Sequence, residues 1–249
     1  MKILKFPNLS SQNESVHGVA TTDFGNMSFR YGEYDEVRVN RKKFFDALSV
    51  PEENAVVAQP EHGKTVVDVT EADRGMGIAV PEDSLLCDVL VTAKPDTFLF
   101  IVVADCMALL FFDPVRQVCA LAHAGWRGVE AKVPQVTVAH LQEKYGCDPR
   151  HIFVGISPSL KADSAKFKEM EQAKLPGWEP YVYKEGEFYH ADISRYAYDQ
   201  LVSAGIPKGN IEQLDIDTRV DKRFFSHRRS DEEGLPEGRF GVLVGIKSF

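Results

Sequence analysis

Apolar residues fall along this chain in two rhythms, one of short unbroken or alternating runs and one of three-to-four spacing. The first holds AVVAQ (Ala55 to Gln59), TVVDVT (Thr65 to Thr70), DVLVTA (Asp88 to Ala93), FLFIVVADC (Phe98 to Cys106), MALLFFD (Met107 to Asp113) and VCALAH (Val118 to His123). These runs are short, rich in β-branched residues and bounded by turn residues, so they predict strands. HIFVGI (His151 to Ile156), IEQLDI (Ile211 to Ile216) and RFGVLVGIK (Arg239 to Lys247) predict three more. The second rhythm begins in Asp35 to Val50, where Val39, Phe44, Ala47 and Leu48 take helical spacing. It returns from Val129 to Tyr145, at Val133, Val136, Val138, Leu141 and Tyr145, and stops at Gly146. Residues 163–175 and 192–204 predict two further helices, and Val16 to Gly32 reads as irregular strands and loops. A block of strands with helices before and after it predicts an α+β layered domain rather than strict βαβ alternation. No repeat, low-complexity tract or flexible linker divides the chain, so residues 1–249 read as one domain.

The 249 residues are 44% hydrophobic, enough for a sizeable core. A formal net charge of -8 repels phosphate backbones, which argues against nucleic acid and for small-molecule partners. Phe98 to Ala104 and Met107 to Phe112, the longest apolar stretches, fall well short of the roughly 20 residues of a membrane helix. The opening MKILKFPNLSSQNE lacks a small-residue cleavage site, and the four cysteines at 87, 106, 119 and 147 form no CxxC pair. The expectation is a soluble cytoplasmic protein with its thiols free, a monomer or a small homo-oligomer.

One of those thiols has a histidine for a neighbour. If the runs containing Cys106 and His123 are antiparallel, with Phe112 facing Val118 across the Asp-Pro turn, Cys106 faces Ala124 and sits one position from His123. Opposed residues bring their Cβ atoms to about 4.5–5.5 Å, close enough for sulfur and imidazole to share a metal. Asp105 then points to the other face. The third candidate ligand is His62, in the turn PEHGKT after AVVAQ. One cysteine and two histidines leave a fourth tetrahedral position for water or substrate, the arrangement of catalytic zinc. The same spacing also suits a buried thiol and a hydrogen-bonded histidine at a strand end. Gly125-Trp126-Arg127-Gly128 fits a tight strand-to-helix turn, and it also fits a loop whose Arg127 meets an anion. DKRFFSHRR (Asp221 to Arg229) reads as a solvated loop with two phenylalanines that pack down.

These residues, with HGVATTDFGNMS, NRKKF, QPEHGKTV, CDVLVTAKP, VVADCMALLFFDP, LAHAGWRG, VGISPS, ADI, FFSHRR and GRF in that order, resemble the laccase-domain family. That family is named for multicopper polyphenol oxidation and also described as purine nucleoside phosphorylases. The resemblance implies a layered α/β/β/α domain with mixed sheets, similar to cysteine-hydrolase-like toxins, and a zinc held by His62, Cys106 and His123. It implies purine nucleosides and phosphate as substrates, with adenosine deamination as an added activity and Cys106, His123 and Arg127 in the catalytic centre. The chain departs from the family in GISPSLKADSAKF, which lacks the usual cysteines and tyrosine, and at Asp217, where a cysteine usually precedes Thr218.

Three other readings compete. Copper could occupy the same ligands and oxidise phenols, although the seven histidines show none of the H-x-H pairs that several coppers need. Cys106 could act as a nucleophile with His123 as its base and no metal. The altered rim could also leave a zinc-binding domain without turnover.

Overall fold

A computed structural model describes residues 1–248. Two six-stranded mixed sheets form its centre. In the first, the order is Ile3–Leu4, Ser15–Ala20, Phe240–Ile246, Thr97–Val103, Ala55–Gln59, Leu85–Leu86. In the second it is Ile211–Gln213, Phe153–Ile156, Met107–Asp113, Val118–Ala124, Val89–Thr92, Val66–Asp68. A small three-stranded sheet joins Lys166–Phe167, Phe188–Ala191 and Val182–Glu185.

Alternation along each strand sends side chains to two different cores. In Met107–Asp113, Ala108, Leu110 and Phe112 meet Leu99, Ile101 and Val244 of the other sheet. Met107, Leu109 and Phe111 face instead the helices Val133–Tyr145 and Ile193–Ser203, through Val138, Leu141, Ala197 and Leu201. On the far side of the first sheet, Phe44, Phe45 and Leu48 of helix Tyr34–Ala47 and its C-terminal cap cover Phe98, Phe100 and Leu243. The layers therefore run helix, sheet, sheet, helix. Because both faces of the central strands are covered, their apolar runs are continuous. Each such side chain contributes about 1.5–3 kcal/mol on burial. No helix among the described residues is long and apolar enough to cross a membrane.

Several sequence expectations need correction. Residues 163–175 form no α-helix: Lys166 and Phe167 pair with His190 and Tyr189, and only a 3-10 turn, Glu171–Lys174, follows. Strand pairing there overrides local propensity, and Pro176-Gly177 leaves no room for a helix to run on. The helix expected from Val129 to Tyr145 is two helices, Trp126–Glu130 and Val133–Tyr145, broken at Lys132 with φ 65°. Pro134 in the first turn of the second helix has no N–H to continue the first one. Val39 is 52% exposed, because the buried stripe of its helix runs through Val37, Arg41, Phe44 and Phe45, about 200° around from it.

The register between Met107–Asp113 and Val118–Ala124 also differs from the expected one. Phe112 pairs with Cys119, Asp113 with Val118 and Ala108 with His123. The connecting residues Pro114 to Gln117 form a longer turn than the Asp-Pro signal implied, with Gln117 at φ 53° and the Asp113 carboxylate accepting from the amides of Val115 and Arg116. Cys106 lies just before its strand rather than opposite Ala124, and by alternation shares the face of Ala108 and His123.

One topological feature sets up the functional end of the molecule. Ala55–Gln59, Leu85–Leu86 and Thr97–Val103 run parallel in the first sheet. Each then crosses to the second sheet, entering at Val66–Asp68, Val89–Thr92 and Met107–Asp113. The crossings carry His62, Asp88 and Cys106. Two of them turn through a non-glycine residue in the left-handed region, His62 at φ 62° and Asp105 at φ 72°.

Candidate metal centre

The crossings and the end of strand Val118–Ala124 bring His62, Cys106 and His123 together, with one ligand-type atom from each lying within 4.8 Å of the others. The His62 and His123 rings meet edge to face, centroids 4.9 Å apart. Tetrahedral zinc with two nitrogens and a sulfur needs donor separations of roughly 3.3–3.6 Å, so small side-chain rotations suffice. Among the described residues this is the one such group of three. Asp105 is outside it, turned away by its left-handed backbone in the crossing rather than by strand alternation. Its carboxylate instead accepts from the Thr218 hydroxyl at 2.6 Å and the Arg228 amide at 2.7 Å.

Asp88 organises the centre, and the sequence reading assigned it no role. Fully buried, it accepts through Oδ2 from the Gly63 amide at 3.0 Å and the Thr65 amide at 3.3 Å, which fixes the turn bearing His62. Its main-chain carbonyl accepts from the His123 amide at 2.8 Å. Its Oδ1 stands 3.9 Å from His123 Nδ1, and neither atom has a hydrogen-bond partner among the described residues. That leaves His123 Nε2 for the metal and a carboxylate behind the ring, the usual support of a ligating imidazole. The signal in the sequence was a lone carboxylate at the head of an otherwise apolar run, Cys87-Asp88-Val89-Leu90-Val91.

The electrostatics suit a cation. Burial works against a charged His123, yet the Cys106 sulfur and the Asp88 carboxylate outweigh it and raise its pKa to about 9. Asp88 behaves in the complementary way: burial would raise it, but the His123 ring and the Thr65 and Gly63 amides hold it below the usual carboxylate range. His62 is shifted down by burial, His123 and Arg127, which keeps a nitrogen lone pair free. Two imidazoles and a thiol of this kind fit zinc, and also copper.

Gly125 is part of the same design. A Cβ at this position would lie 2.7 Å from Cys106 Sγ, so the bare backbone is what lets the sulfur approach. The backbone there has φ -79° and ψ -176°, extended and open to any residue, so the requirement is for space alone.

The ligand group sits where two clefts meet, and His62 and Cys106 line both. The larger cleft, about 1130 Å³, is walled by Phe29, Tyr31 and Tyr34. The smaller, about 370 Å³, is walled by Trp126, Phe167 and Leu160 and edged by Arg127, whose guanidinium lies 4.2 Å from the Trp126 ring centroid. His227 lines both clefts as well, and its Nδ1 is paired with Glu237. DKRFFSHRR packs down through Phe224, buried against Phe240, as its phenylalanines suggested, but the solvated-loop reading missed the helix His227–Glu233 that begins beside the clefts.

The segments that depart from the family pattern have structural partners. Asp217 accepts from the Ser164 hydroxyl at 2.6 Å, and the Leu160 amide donates to the Asp105 carbonyl at 2.9 Å. Ser159 Oγ is buried and unpartnered in the wall of the smaller cleft.

The chain is similar to known proteins along nearly its whole length. Residues 13–247 match the family model described as multi-copper polyphenol oxidoreductase laccase. A Bacillus subtilis protein named purine nucleoside phosphorylase YlmD is 31% identical over 240 residues, covering 92% of this chain and 85% of the relative. A purine nucleoside phosphorylase of Bacteroides thetaiotaomicron is 26% identical over 263 residues, covering 98% and 96%. The crystal structure of YlmD from Geobacillus stearothermophilus superposes with a TM-score of 0.90 at 26% identity, covering 100% of this chain and 97% of that one. On a match that spans nearly its whole length, this chain belongs to the multi-copper polyphenol oxidoreductase laccase family, whose members here include proteins named purine nucleoside phosphorylase.

Proposed function

We propose that the protein is a zinc enzyme that cleaves purine nucleosides with phosphate, and that His62, Cys106 and His123 hold the metal. The observation that carries this reading is the convergence of their three donor atoms at the junction of two clefts. One cleft is wide and aromatic enough for a nucleoside, and the other is small and edged by an arginine. Zinc held by these three residues would supply Lewis-acid charge at the junction of the clefts. Arg127, exposed and held against Trp126, orients phosphate at the smaller cleft. A phosphate oxygen attacks the sugar C1′, the C1′–N9 bond breaks, and its electron pair leaves with the base. His227, oriented through Glu237, gives the departing purine its proton. The products are the free base and the sugar 1-phosphate.

The names of the relatives support purines and phosphate. The four cysteines, all free, support a reducing compartment such as the cytoplasm. A single domain over residues 1–249, active as a monomer or small homo-oligomer, and kinship of the four-layer order with cysteine-hydrolase-like toxins belong to the same proposal.

Substituting His62, Cys106 and His123 by alanine, one at a time, lowers bound metal and nucleoside turnover together. Turnover surviving all three substitutions refutes the reading. Copper-dependent phenol oxidation is the second reading, favoured by a donor set that binds divalent copper more tightly than zinc. Against it stand the partners of three other histidines: His17 accepts from the Phe6 amide, His140 pairs with Asp68 and His190 with the Ala162 carbonyl. Oxidation of a phenol by copper-loaded protein, with no nucleoside cleavage by zinc-loaded protein, would favour it.

A further inference from the structure

The larger cleft holds a buried cation that the metal chemistry does not use. Arg41 lies on helix Tyr34–Ala47, is 3% exposed and lines the cleft. Its Nε donates to the Met27 carbonyl and its Nη1 to the Gly77 carbonyl, both at 2.9 Å. The guanidinium stacks 4.3 Å from the Phe29 ring centroid, and Glu52, the acid following this helix, pairs with Arg38 instead. Two carbonyls and a ring fix where the group sits, but neutral acceptors do not neutralise its charge, and burying an uncompensated charge is costly. Burial, with Arg38 nearby, pulls its pKa down to about 9.

The rest of the cleft has the same sign. Its ionised side chains are Arg30, Arg41 and Arg239 against Glu82 alone, in a chain whose formal net charge is -8. Arg239 is neutralised by Glu237, whereas Arg30 extends over the Tyr31 ring. A cationic pocket in an anionic protein draws in anions. At about 1130 Å³ the cleft also exceeds the roughly 300–1,000 Å³ that suits a drug-sized ligand.

We infer that Arg41 anchors a phosphate group in the larger cleft, carried there on the substrate as a nucleoside phosphate monoester. Nη2, which has no acceptor among the described residues, is the donor left free for it. The inference rests on the nucleoside reading for the molecule that carries the phosphate, and on Arg41 alone for its binding.

Calorimetric titration of the metal-loaded full chain with inosine, inosine 5′-monophosphate and inorganic phosphate tests it. The monophosphate binds at least about tenfold more tightly than inosine, the scale of one charge-assisted contact. Arg41→Lys, which keeps the charge but not the fork, removes most of that advantage while inosine affinity changes less than about threefold. Competition of inorganic phosphate with the monophosphate at this site, lost in Arg41→Lys, supports the same anchor with free phosphate as its source. If Arg41→Lys does not fold, the wild-type comparison still decides, and Arg30→Gln on the exposed rim weakens monophosphate binding about twofold. Equal wild-type affinities for inosine and its monophosphate, with no competition by phosphate, overturn the inference. Inosine phosphorolysis alongside such equality leaves the proposed function standing, whereas monophosphate binding without any turnover does the reverse.

Discussion

Adding a single methyl group at Gly125 separates metal binding from folding. The new Cβ would lie 2.7 Å from Cys106 Sγ, while carbon and sulfur in contact need at least about 3.5 Å. Something must move by about 1 Å, and the sulfur sits at the end of one freely rotating bond. A zinc–sulfur bond near 2.3 Å tolerates only about 0.2 Å, so Gly125→Ala displaces the thiolate from the metal. The backbone angles already suit alanine, and fewer unfolded conformations offset part of any crowding. We expect zinc affinity to fall about 100-fold, or about 2.7 kcal/mol, while unfolding stability changes by less than about 1 kcal/mol. Titration of the metal-free protein against a chromophoric chelator reads the first quantity, and urea unfolding of the metal-free protein reads the second. Wild-type zinc affinity in a folded Gly125→Ala variant would refute the packing argument and remove Cys106 from the ligand set.

Asp88→Asn keeps the shape of the side chain but removes the charge behind His123, and lowers metal affinity about 10- to 100-fold in the same chelator assay. His227→Gln leaves metal content unchanged and lowers kcat about 10²- to 10⁴-fold, which steady-state nucleoside cleavage would show. His17 accepts from the Phe6 amide, and burial lowers its pKa from 6.5 to about 4. The unfolded chain therefore binds this proton between those values and the folded one does not. Stability rises with pH across that window: the contribution is complete above about pH 6.5, and about 3 kcal/mol of it is gone at pH 4. Urea unfolding of wild type and His17→Gln at pH 7 and pH 4 isolates the term, since the variant loses this part of the pH dependence.

The strands were legible because both of their faces are buried, so Ala55–Gln59, Met107–Asp113 and Val118–Ala124 emerge close to their expected bounds. Residues 163–175 were not, because their pairing partner lies at Phe188–Ala191 and local spacing carries no sign of it. That His62, Cys106 and His123 come together was legible from residue type and strand neighbourhood, although the expected pairing of Cys106 with Ala124 was off by a register step. In the expected register the sulfur would share the face of Ala124, and the observed shift is what turns it to the face of His123. Asp88 and His227 were hidden for different reasons. The first looks like the polar edge of a strand, and the second like part of a charged loop whose phenylalanines pack down without revealing that His227 lies at the clefts.

The three parallel strands that leave one sheet to enter the other give the candidate centre a mechanical role. An ion gripped by His62, Cys106 and His123 would work as a rivet through the seam, fastening two crossings to the end of a third segment distant in sequence. Free ion at a hundred times its dissociation constant would then add about 2.7 kcal/mol to the resistance of the entire protein to unfolding. Starving a cell of that ion would loosen this end of the molecule first, so supply of the metal would govern how long the protein endures as well as whether it works.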